Sequence, residues 1–151
     1  MARTERLMAA SPERVFGVLA DPASYGHWVV GSDTIRDADD GWPAVGARFH
    51  HRVGWGPLKL NDNTEVLAVD APYRLDLKAK ARPLGTAKVS LHLERRGGGT
   101  LVTMIEDAGD PVTRLVFNPL THLLVRGRNV ESLRRLEELA VGAVPMPDLE
   151  D

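Results

Sequence analysis

Residues 73–81 read Tyr-Arg-Leu-Asp-Leu-Lys-Ala-Lys-Ala, apolar or aromatic at every odd position and charged at every even one. Strict two-residue alternation fits a strand with one buried and one wet face, and it cannot lay a single apolar stripe along a helix. The run "AKVSLHLE" repeats it, with Ala87, Val89, Leu91 and Leu93 on one side. From about residue 30 to 108, short runs of this kind are separated by "DDGWPAVG", "GWGP", "DAPY", "ARPLG" and "RRGGG", the glycine–proline punctuation of tight turns. One-sided strands joined by short turns form an antiparallel sheet, and its apolar face needs a covering layer.

The two ends of the chain supply that layer. Residues 3–9, "RTERLMA", read as a first strand. "SPERVFGVLAD" then reads as a helix: Ser11 is a natural N-cap, Pro12 suits the first helical position, and Glu13 favours the positive end of the dipole. Val15, Phe16 and Leu19 make its apolar stripe. "DPASYGHW" restarts with Asp21 as cap and Pro22 behind it, giving a second short helix. After "DAGDP", residues 112–143 return to helical spacing, with Leu115, Leu123, Val130, Leu133, Leu136 and Ala140 as one broad stripe. Pro119 lies inside this stretch and either kinks the helix or starts it afresh. Arg126, Arg128, Arg134 and Arg135 read as its solvated face.

Composition excludes several classes. A chain of 151 residues without a linker or repeat reads as one domain over residues 1–142, followed by an acidic, proline-containing tail at 143–151. A net charge of −2 with no basic patch argues against a nucleic-acid partner. With no cysteine there is no disulfide, thiolate metal site or cysteine nucleophile, which fits a cytoplasmic location. No apolar run reaches the roughly 20 residues of a membrane helix, and the first residues lack the apolar core of a secretory signal. The five histidines lack chelating spacing, so neither a metal nor another cofactor is expected.

The succession of "SPERVFGVLADPASYGHW", "VGARFHHRV" and a long helix containing "LRRLEELA" resembles the START/polyketide cyclase-like (SRPBCC) superfamily of helix-grip domains. Pro12, Val15, Phe16, Leu19, Asp21, Pro22 and Trp28 carry its most specific part, and the likeness spans residues 1 to about 142. The resemblance implies an α+β helix-grip fold. Its curved antiparallel sheet of about six or seven strands wraps a long C-terminal helix, with two short helices after the first strand and an internal cavity. It also implies a functional range from lipid carriers and sensors to polyketide cyclases and co-chaperone domains.

The residues facing such a cavity follow from alternation. In "FHHRVGWGPLKLNDNT" the first strand buries its odd positions, Phe49, His51 and Val53, and the second its even ones, Leu60, Asp62 and Thr64. Pairing Val53 with Leu60 sets His51 opposite Asp62, within reach of an imidazole–carboxylate hydrogen bond, unless a bulge at Gly54 or Gly56 flips one strand. The pair has three readings: two buried polar groups satisfying each other, an anchor for a ligand's polar end, or an acid–base couple. Leu75, Leu77, Val89 and Leu91 extend the lining across the sheet, with Leu120, Leu123 and Gly127 facing them from the helix. Trp28 belongs to the core or the rim. Glu106 turns inward if "RRGGG" pairs Leu93 with Val102, although "LVTMI" is apolar on both faces and leaves that side open.

Three functions compete: a carrier or sensor of a small apolar or aromatic molecule, a cyclase- or dehydratase-like enzyme using His51 and Asp62, and a protein-interaction domain. The binding module needs least, and it functions as a monomer or homodimer.

Overall fold

Where the computed structural model describes the chain, over residues 2–55, 57–81, 85–109 and 119–147, helical and alternating segments fold as the spacing predicts; the part of the expected C-terminal helix before Pro119 lies outside those residues. The elements run β1 (Ala2–Met8), α1 (Pro12–Leu19), a 3-10 turn (Pro22–Ser24), α2 (Tyr25–Trp28), β2 (Ser32–Ala38), β3 (Arg48–Trp55), β4 (Leu58–Asp70), β5 (Arg74–Ala81), β6 (Gly85–Arg96), β7 (Gly99–Ala108) and α3 (Pro119–Ala140). All seven strands form one antiparallel sheet in the order β1-β7-β6-β5-β4-β3-β2. Every neighbour except β1 with β7 is therefore a consecutive hairpin, and the chain between β1 and the rest of the sheet passes through α1 and α2.

The caps are local. Ser11 Oγ accepts from the Arg14 amide at 3.2 Å, and Asp21 Oδ1 from the Ala23 amide at 3.1 Å. Each ties down one of the unpaired N–H groups at a helix start. At the C-terminal end of α1 the Leu19 carbonyl accepts from both Tyr25 Oη at 2.7 Å and Trp42 Nε1 at 3.1 Å. That fixes α1, α2 and the β2–β3 connection as one unit.

A bulge in β4 bends the sheet. The register with β5 shifts between Val66 and Ala68, so the inward set changes from Asp62, Thr64 and Val66 before it to Val69, opposite Leu75, after it. Such an insertion adds twist and curves the strand around whatever it covers. The concave face buries Leu75, Leu77, Leu91, Leu93, Val102 and Met104 with Leu133, Leu136 and Leu139 of α3. α3 lies closest to β1, α1 and α2. Glu137 fastens it there, accepting from Arg6 Nε and from the Ala9 amide, both at 2.9 Å.

Candidate functional site

The β3–β4 hairpin keeps one register from Arg48–Glu65 to Trp55–Leu58, with Val53 opposite Leu60, His51 opposite Asp62 and Phe49 opposite Thr64. Neither Gly54 nor the turn introduces a shift. His51 (3% exposed), Asp62, Thr64 and Phe49 are all buried on the inner face, and Leu60 is half-buried. The hydrogen bond expected between His51 and Asp62 does not form. Asp62 Oδ1 turns back to accept from the next amide on its own strand, Asn63 N, at 2.9 Å. Both imidazole nitrogens are closed off from solvent, and neither makes a hydrogen bond of good geometry among the described residues, the nearest approach being to the Asn63 backbone. Burial pushes the His51 pKa below the ordinary imidazole value, against the opposing pull of the Asn63 backbone and the Asp62 carboxylate. His51 is therefore a neutral ring with one N–H and one lone pair to offer.

An aromatic wall leads to it. The Tyr25 ring lies 5.0 Å from Trp28, 5.6 Å from Trp42 and 4.7 Å from Phe49, and Phe49 lies 5.6 Å from the His51 ring. Tilted and edge-on contacts at these distances are the favourable arrangements for aromatic rings. Trp28, Tyr25 and Trp42 come from α2 and the β2–β3 connection. Tyr25 and Trp42, held by their shared bonds to the Leu19 carbonyl, both pack on Phe49, the ring beside His51.

The β6–β7 register settles the side left open for β7. Leu93 pairs with Val102, so Val102, Met104, Glu106 and Ala108 turn inward, and all four are buried. Glu106 meets Arg128 of α3: Arg128 Nη2 donates to both carboxylate oxygens, at 2.6 Å to Oε2. Arg128 is thus not part of a solvated face, unlike Arg134, which pairs with Glu131 and Glu138 along the helix surface. Only the register of a distant hairpin could have pointed to this partner.

The inward stripe of α3 also differs from expectation. Leu123 (68% exposed), Val130 and Gly127 lie on the outer side, and a Cβ built on Gly127 would meet nothing within 4 Å. Gly127 marks neither close approach to the sheet nor room made for a ligand. Asn129, Ser132, Leu133 and Leu136 are buried instead. Alternation and helical spacing rank positions by apolarity, and here two polar residues take the buried phase. Leu75, Leu77 and Leu91 are buried as read, with Val89 half-buried. Leu115 and the side chains of Val53 and Leu120 lie outside the described residues. Along the concave face burial falls from Leu75 and Leu91 to half-exposed Ala79, Ala87 and Val89.

Among the described residues no cluster of histidine and acidic side chains could hold a metal ion. No described helix is long and apolar enough to cross a membrane.

A curved seven-stranded antiparallel sheet gripping a C-terminal helix defines the helix-grip class, the SRPBCC or Bet v1-like fold. Residues 2–141 match the family described as "Polyketide cyclase / dehydrase and lipid transport", and the chain belongs to that family. Among solved structures it is similar to protein MLL2253 from Mesorhizobium loti (23% identity, TM-score 0.67, covering 95% of this chain and 98% of that one). TTHA0849 from Thermus thermophilus is similar at 19% identity and TM-score 0.70, over 95% and 99% of the two chains. Ara h 8.0201 shares 12% identity at TM-score 0.69, over 93% and 96%. At these identities the likeness is one of fold. No curated protein matches the chain.

Proposed function

We propose that the chain is a cytoplasmic carrier or sensor that holds a small apolar or aromatic molecule between the concave sheet face and α3. The single observation that carries this reading is His51: a neutral imidazole buried at the end of an aromatic wall, with neither nitrogen in a hydrogen bond of good geometry among the described residues. A buried polar group left unmade costs about 1–3 kcal/mol, and a ligand group that bonds to it recovers that penalty. The aromatic rings would bind the ligand's apolar body, and the half-open end of the sheet near Val89 would be its way in. Lipids are within the family's description, and the same interior would suit them. The lining under this reading includes Trp28, Phe49, His51, Leu60, Asp62, Thr64 and Glu106.

The direct test is to equilibrate the purified protein with a solvent extract of cell metabolites and identify what stays bound by native mass spectrometry. A retained small molecule, lost in His51→Ala at equal fold content, is the expected result. No retained molecule from several extracts, with no saturable uptake of an uncharged apolar dye, would overturn the reading.

A second reading, a cyclase- or dehydratase-like enzyme, draws on the same register. A neutral imidazole opposite a carboxyl group suits proton abstraction from a bound substrate. It predicts that His51→Ala retains the molecule but loses its conversion.

A further inference from the structure

Two of the three hydrogen-bonding groups in the aromatic cluster have partners, since Tyr25 and Trp42 both donate to the Leu19 carbonyl. Trp28 does not. It is 2% exposed, and its indole nitrogen has no partner among the described residues. An indole N–H can only donate. A second donor is left in the same state on α3, the amide nitrogen Nδ2 of Asn129, also 2% exposed.

The surroundings of Asn129 place it on the inner face beside α2. The residue before it, Arg128, reaches Glu106 on β7. One turn on, Ser132 Oγ accepts from the Val30 amide at 3.1 Å, two residues beyond Trp28. Asn129 therefore stands between the contact to β7 and the contact to the segment that carries Trp28.

We propose that the molecule held in this interior is uncharged and carries an acceptor oxygen, a carbonyl foremost, that takes hydrogen bonds from Trp28 Nε1–H and the Asn129 amide. This deepens the binding reading above and rests on it. Of the buried groups without a partner among the described residues, Trp28 Nε1–H and Asn129 Nδ2 can only donate, and a neutral His51 adds one N–H beside its lone pair. A carboxylate is the wrong acceptor here. Arg128 is already closed on Glu106, and Asp62 and Glu106 bring two carboxyl groups to this face. A third would be buried without a cation of its own.

The test uses the full chain and the uncharged dye N-phenyl-1-naphthylamine, displaced by three ligands of one shape: 2-acetylnaphthalene, 2-ethylnaphthalene and 2-naphthoate. The ketone should displace the dye at a concentration about tenfold or more below the ethyl compound, the order expected of one or two buried hydrogen bonds. Naphthoate should be the weakest. Trp28→Phe and Asn129→Leu should each shrink the ketone-to-ethyl ratio toward one. Equal displacement by ketone and ethyl compound in the wild-type protein overturns the proposal without needing a folded variant, and leaves the binding reading standing. Preference for naphthoate overturns it in favour of an anion site at Arg128. Absence of any saturable dye uptake removes the binding reading and this inference with it.

Discussion

Arg128 on α3 and Glu106 on β7 close the domain across its interior, the guanidinium donating to both oxygens of a carboxylate whose side chain is 7% exposed. Removing the arginine alone leaves a buried carboxylate. Arg128→Leu should lower stability by about 2–3 kcal/mol, read as a shift in urea midpoint at constant slope. The double variant Arg128→Leu, Glu106→Leu should regain most of that loss. A double variant as unstable as the single one would show that the pair does more than satisfy two charges.

His51 makes stability depend on pH with a definite sign. Burial holds its folded pKa below the ordinary histidine value of about 6.5. Above that value the ring is neutral in folded and unfolded chains alike. As pH falls below it, the unfolded chain takes up a proton that the folded one resists, so stability declines until the pH passes the lowered folded pKa. Melting temperatures between about pH 7.5 and pH 5 should therefore drop more steeply for wild type than for His51→Gln. Parallel curves would mean that the ring titrates as it does in the unfolded chain.

Two glycines should respond in opposite ways to alanine. Gly127 sits on the exposed side of α3 with nothing near its missing Cβ, so Gly127→Ala should stabilise by up to about 1 kcal/mol through helix propensity. At Gly99 the same Cβ would lie 2.4 Å from the Met8 carbonyl oxygen, where β1 meets β7. Gly99→Ala should destabilise clearly and speed hydrogen exchange along β1. Equal effects at the two sites would contradict the packing.

Tyr25→Phe removes one of the two donors to the Leu19 carbonyl and keeps the ring contacts with Trp28, Trp42 and Phe49. Because Trp42 still satisfies the oxygen, the expected cost is only about 1 kcal/mol in thermal or chemical denaturation. A much larger loss would indicate that the hydroxyl, rather than the ring, holds α2 in place.

Local rules carried a large part of this molecule. Ser11–Pro12 and Asp21–Pro22 mark helix starts because capping is settled within three residues, and alternation from Tyr73 to Ala81 marks a strand because side chains change face at every step. Even the placing of His51 opposite Asp62 was legible, since a short turn leaves one register that keeps both apolar sets together. What those two side chains do once opposite each other was not: Asp62 accepts from the Asn63 amide and makes no hydrogen bond to the imidazole, which alternation alone cannot decide.

The inner face of α3 and the closure by Arg128 belong to the tertiary structure alone. Leu123, Leu124 and Val130 are apolar and exposed, while Asn129 and Ser132 are polar and buried, so apolarity misreads the phase of the helix. That phase is set by Glu137 gripping β1, Ser132 meeting Val30 and Arg128 reaching Glu106. Each joins residues far apart in sequence, whose encounter depends on how sharply the sheet bends. No periodicity within a single segment carries that information.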